Sequence, residues 1–175
     1  MRGYKILPKT MCAIHGDGMH YEVDKEYSMN ERDINLCFKG YHFCSNIEDT
    51  ALWYYGFSNN LLFEIDTLDG KIIKANRKNV TNKIKLIREI PLEEIKEYFK
   101  IHSKRLVYDN DYRVRRELAK FGYQLDILYQ DTDPVVVYHV EESMRKKAYL
   151  RSLMRSGTIN NNANYSIIIS DTTQI

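Results

Sequence analysis

An α+β fold is expected from this sequence. Its head would be an antiparallel-sheet domain with one or two helices over residues 1–103, followed by a short helical-repeat segment over 104–155 and a polar tail over 156–175. Three features predict it. Apolar and polar residues alternate in short runs through the first 90 positions, the period of half-buried strands. From Pro91 onward the spacing turns helical. Between 106 and 140 a set of residues returns after 22 positions, a period that marks small stacking units.

Tyr4 to Leu7, His20 to Val23 and Lys25 to Ser28 read as short strands. Asn35 to Cys44 carries Leu36, Phe38, Tyr41 and Phe43 around Gly40, a strand, a bend and a second strand. Ser45-Asn46 ahead of Glu48-Asp49 is a helix start, with acids at the positive end of the dipole, and that helix would stop near Gly56. Leu61 to Leu68 is the best strand, and Asp69-Gly70 is a hairpin signal that would return Lys71 to Lys74 as its partner. Val80 to Ile90 makes another strand. Pro91 opens a helix running to about His102, where its missing N–H costs nothing.

The repeat aligns Asp109 with Asp131, Asp111 with Asp133, Val114 with Val136 and Leu118 with Val140; Leu106 and Leu128 precede the copies at the same offset. Each copy supplies Asp-x-Asp as a helix cap and a helix with apolar residues four apart. Ser143 to Met154 would be a capping helix. Tyr165 to Ile169 would add a strand from the tail or pack in an interface, which leaves self-association open.

Composition narrows the class. The chain has 175 residues, 43% hydrophobic and 29% charged, ordinary for one globular unit. No run of about 18 apolar residues exists to span a membrane, and Met1 to Lys9 lacks the apolar core of a signal peptide. Three cysteines, Cys12, Cys37 and Cys44, fit a reducing cytoplasm without a disulfide framework. The net charge of +2 conceals blocks of −5 over residues 1–70, +7 over 71–105, −4 over 106–142 and +4 over 143–175. Blocks of alternating sign suit docking of one segment on another, or a steered partner.

Met19 to Tyr27 (MHYEVDKEY), Cys37 to Cys44 (CFKGYHFC) and Asn82 to Ile90 (NKIKLIREI) together resemble an uncharacterised domain family of bacteriophages, prophages and their hosts, with the pattern YEVGKxY, CxxGFHxC, KIxIIRE. The likeness covers about residues 3–98. Asp24 stands where that pattern has Gly, and Tyr41 where it has Phe. Val114 to Leu128, with Asp131 to Pro134, is similar to phage HEAT-like repeats of the form VRRxLAxxGYxLDxLxxDxD, over about residues 104–142. The second copy is degenerate, with Val137-Tyr138 in place of Arg-Arg. The resemblance implies a mobile-element protein of the host cytoplasm. Proteins of that setting commonly bind and disarm host immune machinery, as anti-CRISPR and other anti-defence factors do. It transfers no activity.

The leading expectation is therefore binding without turnover, with no cofactor and no membrane, of a host protein or ribonucleoprotein. Tyr54, Tyr55, Tyr112, Arg113, Arg116 and Tyr123 are the candidate contact residues, because Tyr gives wide contact area at low entropy cost. An alternative is an enzyme. Gly40 to Cys44 ahead of a capped helix resembles the nicotinamide cradle of ADP-ribosyltransferase folds, with His42 and Glu64 as the groups to test; Tyr4-Lys5 stands where those enzymes place Arg or His. A second alternative is nucleic-acid binding along Lys71, Lys74, Arg77, Lys78, Lys83, Lys85 and Arg88; a solvated edge that discourages strand aggregation explains the same lysines. Cys12, Cys37, His42 and Cys44 could hold zinc tetrahedrally, although their spacing matches no familiar zinc module and a packed core accounts for them as well. No nucleophile elbow, phosphate loop or metalloprotease motif occurs.

Overall fold

The computed structural model describes residues 1–13, 18–36 and 38–156. The alternating run near the start forms β1 (Arg2–Pro8), and the best apolar run forms β4 (Asn60–Asp66). They pair antiparallel along their whole length, from Arg2 against Asp66 to Pro8 against Asn60. On the other side of β4 lies β7 (Lys83–Ile90), and β2 (Glu26–Ser28) follows, giving the order β1-β4-β7-β2. A second sheet, ordered β3-β6-β5, is built from β3 (Tyr41–Phe43), β6 (Lys78–Thr81) and β5 (Ile72–Ala75). Every named strand pair is antiparallel.

The helices are α1 (Ile47–Thr50), α2 (Leu92–Leu106), α3 (Tyr112–Lys120), α4 (Leu125–Leu128) and α5 (Pro134–Arg155). The fold is α+β, with a helical C-terminal segment. No helix among the described residues is long and apolar enough to cross a membrane.

Period-two geometry gives the larger sheet two working faces. On one face Ile6, Leu62 and Ile90 meet Ile95, Phe99 and Leu106 of α2, and the same buried cluster continues through Val114, Leu118, Val136 and Val140. The helical segment thus shares the core of the head across positions 103 and 104. On the other face Leu7, Phe63, Ile65, Ile84 and Leu86 bury against Tyr21, Tyr41 and Phe43. An irregularity between Glu64 and Ile65, opposite Arg88 and Leu86, leaves Ile87 over. This bulge lets Ile84 and Leu86 serve one face and Ile90 the other.

His20, Val23 and Asn35 make isolated bridges where strands were expected, and four further sequence expectations change. The Asp69-Gly70 turn does not fold 71–74 back on β4, because β1 and β7 already occupy both sides of that strand along longer ladders. Ile72 to Ala75 pairs with β6 instead, through a two-residue connection at Asn76-Arg77, with Arg77 at φ 59°. The strand expected over Val80 to Ile90 is interrupted at Asn82, where the chain changes sheets; the Asn82 side chain accepts from Lys71 N and donates to Met29 O. The helix expected to run to Gly56 stops at Thr50. Tyr54, Tyr55 and Gly56 have φ of 52°, 64° and 84°, and Asn60 Nδ2 donates to the carbonyls of Tyr54 and Gly56. The helix of the second repeat and the expected capping helix are one continuous α5.

The repeated caps match bond for bond. Asp111 accepts from Arg113 N at 3.0 Å and Asp133 from Val135 N at 2.9 Å. Two residues earlier, Asp109 accepts from Asp111 N at 2.8 Å and Asp131 from Asp133 N at 2.9 Å. The expected tail strand at 165–169 lies outside the described residues.

Besides the packing of Tyr41 and Phe43 on the larger sheet, one backbone bridge joins β1 to the residue after β3. Tyr4 N donates to Cys44 O and Cys44 N to Tyr4 O, both at 2.8 Å. Gly3 permits it, since a Cβ there would lie 2.6 Å from Phe43 Cδ2 and 2.8 Å from Cys44 O. Gly3→Ala is expected to cost about 1–3 kcal/mol in urea unfolding, as overpacking does. Asp133→Ala should cost about 1 kcal/mol through the lost cap. A Gly3→Ala variant as stable as the parent would show that the sheets separate freely.

Candidate functional site

The bridge lasts for a single residue pair. In an antiparallel ladder the next hydrogen-bonded pair would be Ile6 with His42, but no backbone bridge forms there. Instead Lys5 Nζ donates to His42 O at 2.9 Å. Beyond this point the sheets part around a cavity of about 650 Å³. Its walls come from β1 (Tyr4, Lys5, Ile6), from β3 with its approach and exit (Phe38 to Cys44), from the turn after α1 (Trp53, Tyr54), and from Ala13, Met19, Tyr21, Met29 and Lys78. Gly40 shapes the entry to β3. Its φ is 126°, and a Cβ there would collide with Val80 Cγ2.

The wall is aromatic and cationic. Lys5 Nζ lies 4.9 Å from the Tyr21 ring centroid, and Lys78 Nζ 5.0 Å from that of Trp53. Tyr21 packs on Tyr27 and Tyr41 at centroid distances of 5.2 and 6.4 Å. Phe38 is 84% exposed beside the cavity. Lys5 is buried, and burial pulls its ammonium down to about 8, with only the Cys44 sulfur opposing. Burial also pushes the Cys44 thiol up to about 12, with Asp49 adding to it; the sulfur donates to Arg77 O. His42 falls to about 4, first by burial, with Lys78 and Lys5 lowering it further. It is neutral at pH 7, and its Nε2 lies 2.7 Å from Leu36 O, which fixes the Nε2–H tautomer. Among the described residues the lining holds no carboxylate.

A smaller cleft of about 320 Å³ lies on the other side of Lys78. Its charges answer each other. Arg77 meets Asp109 at 2.6 Å and Asp49 at 3.5 Å, and Arg105 meets Glu48 at 2.7 Å. The cavity holding Lys5 and Lys78, which make no ion pair among the described residues, is the candidate site.

The structure distributes the sequence-predicted residues unevenly. His42 lines the cavity; Glu64 does not, and is held by Arg88 at 3.0 Å and Arg2 at 3.6 Å. The two therefore do not converge. Of the four zinc candidates, Cys37 lies outside the described residues, and Cys12 Sγ sits 3.6 Å from His20 Nδ1, apart from Cys44 on its strand. No group of three or more potential metal ligands occurs among the described residues.

The basic stripe is divided. Arg77, Lys83, Lys85 and Arg88 are each in ion pairs, with Asp109, Asp69, Asp24 and Glu94 respectively. Lys71 and Lys74 are exposed on β5 and its approach, and Lys78 turns to the cavity. Tyr54 lines the cavity, and its neighbour Tyr55 is 89% exposed. Arg113 Nη1 donates to Leu52 O, which brings the start of α3, with Tyr112, beside that turn. Arg116 is buried and bonded to buried Glu117. Tyr123 packs on the helical core.

Sequence reasoning missed Lys5, Trp53, Tyr21 and Lys78 as one set. A signal for Lys5 existed: with Leu7 it occupies the apolar face of β1, where a charge is out of pattern.

A family model described as a domain of unknown function (DUF7666) matches residues 1–98. No curated protein and no solved structure matches the chain.

The lowered Lys5 pKa has a measurable consequence. Below about 8 the native and unfolded chains both carry the charge, and the burial penalty is present in full. Between about 8 and 10.5 the unfolded chain holds a proton that the native state has shed, so this group makes stability rise with pH. Urea unfolding from about pH 7.5 to 9.5 should show that rise in the parent protein relative to Lys5→Met. Parallel pH profiles would place the Lys5 ammonium in water.

Proposed function

The chain belongs to the DUF7666 family of domains of unknown function, and we propose that it acts by binding a partner without turning it over. One observation carries this reading: the cavity wall combines lysines and aromatic rings with no carboxylate among its described residues. General acid–base or glycosyl-transfer chemistry needs a proton acceptor near the reacting bond. Burial holds His42 down to about 4, a weak base at pH 7, Cys44 remains a thiol, and Glu64 is engaged by two arginines. These three groups support recognition, and Lys5, lowered to about 8, is still mostly ammonium at pH 7 and donates to His42 O.

The mobile-element setting implied by the sequence resemblance makes the partner a host macromolecule, most naturally a bacterial defence component, met in the host cytoplasm. Anti-CRISPR and related anti-defence factors work in this way. Tyr55 is exposed on the turn whose Leu52 carbonyl accepts from Arg113, next to the cavity wall formed by Tyr54; the Arg113 charge is answered by Asp111 at 2.8 Å. Tyr and Arg are the residues that most often dominate binding energy at interfaces.

Two measurements test the reading. Incubation with labelled NAD and bacterial lysate is expected to leave host proteins unlabelled; transfer of label, abolished by His42→Ala, would overturn it in favour of the ADP-ribosyltransferase alternative. Tagged protein in lysate should retain a macromolecule of unchanged mass, and Tyr55→Ala with Tyr112→Ala should reduce that retention more than about tenfold. Equal retention by the double variant would remove these tyrosines from the interface.

A further inference from the structure

We propose that the cavity between the two sheets binds a small aromatic anion of the nucleoside monophosphate class, its charged group at Lys5 and Lys78 and its ring against the aromatic wall. The inference rests on the reading that the chain binds without turnover, and it names what this cavity would take.

The charge argument comes first. Lys5 is 8% exposed, and among the described residues its ammonium, with three donors, meets one acceptor, His42 O. A buried cation is costly unless a counter-ion meets it. Lys39, also at the cavity, is answered by Asp33 at 3.1 Å. Lys5 and Lys78 make no ion pair among the described residues, and both act electrostatically on His42 and Cys44. Both lysines line the same cavity as His42 and Cys44. The neutral His42 and the protonated thiol beside them add no negative charge. An anion entering here would meet two ammonium groups in a partly desolvated setting, where charge-assisted hydrogen bonds are strongest.

Shape supplies the second half. A volume of about 650 Å³ falls within the range of about 300–1,000 Å³ usual for small-molecule sites. That space exceeds what an inorganic ion fills. Much of the remaining wall is aromatic or thioether: Tyr21, Trp53 and Tyr54 with Met19, and Phe38 at the rim with most of its surface open. Lys78 already rests over one face of Trp53, a cation–π contact that keeps ammonium and ring side by side. A planar base stacks on such surfaces with little regard to its identity. A sugar-sized spacer would join that base to the phosphate.

Isothermal titration calorimetry on the full chain at pH 7 separates the two halves. AMP, GMP, CMP and UMP are titrated alongside adenosine, which has the ring without the charge, and ribose 5-phosphate, which has the charge without the ring. At least one nucleotide is expected to bind, with both halves weaker by about tenfold or more. Lys78→Met, on a side chain outside the core, should weaken the nucleotide by about tenfold or more, with an unchanged circular dichroism spectrum. Trp53→Leu should weaken adenosine and nucleotide alike. Absence of binding by all four nucleotides at about millimolar concentration, or equal affinity in Lys78→Met, would overturn the proposal. Chromatography of the recovered nucleotide keeps the two readings apart. An altered nucleotide would end the reading of binding without turnover while the ligand class stands. A failure to bind would end the ligand class while macromolecular binding at Tyr55 stands.

Discussion

Two reciprocal hydrogen bonds between Tyr4 and Cys44 organise the head of this protein. They join the four-stranded sheet to the three-stranded one at a single residue pair, and everything near the site follows from how short that junction is. Had the ladder continued, Ile6 would have faced His42, and the two sheets would have run together as one surface. The ammonium of Lys5 takes the His42 carbonyl instead. This side chain thus stands where the strand pairing ends, with its cation at the wall of the space between the sheets. Gly3 makes the junction close enough to form, and Gly40 turns the chain into β3 where no Cβ would fit.

Buried carboxylates with partly exposed cationic partners tie the helical segment to this head. Arg77, at the β5–β6 turn, reaches Asp109 at 2.6 Å, and Glu48 of α1 accepts from Tyr98 and Arg105 of α2. Glu117 lies 1% exposed beneath Gly56 and is held by Arg116 and Lys120. Removing one member of such a pair strands the other charge away from water, so these contacts specify position more than they add stability. Their common feature is that each joins an element of the head to one of the helices, or lies where the two meet. Together with the continuous apolar cluster, they make the 98 residues matched by the family model and the helices that follow parts of one packed body.

Local chemistry was legible where it was repeated or strongly periodic. The Asp-x-Asp caps at Asp109-Asp111 and Asp131-Asp133 were visible as spacing, and the apolar run of β4 as composition. Pairing was not legible. Asp69-Gly70 is a true turn, closed by Gly70 N on Thr67 O, yet which strand it leads to depends on the competing ladders of β1 and β7, a non-local matter. The tight connection between β5 and β6 is Asn76-Arg77, which lacks the glycine that usually signals one. The basic stripe looked continuous because sequence counts charges without their partners; Asp24, Asp69, Glu64 and Glu94 come from four separate places to meet it. The cavity was invisible for the same reason, since its wall gathers short segments spread from Tyr4 to Lys78.

Arg77 of the head and Arg115 of the helical segment form a relay with a defined end. Arg77 grips the first aspartate of one cap, and Arg115, within the helix that cap begins, grips the first aspartate of the next with both nitrogens, at 2.6 and 2.9 Å. The position 22 residues after Arg115 is Val137, and the position 22 after Asp131 is Leu153. Neither the hand nor the handhold is present for a third round. A stack built by such handovers sets its own height: wherever an aliphatic side chain replaces the gripping arginine, the next module has nothing to hang from, and the long α5 runs on in place of another cap.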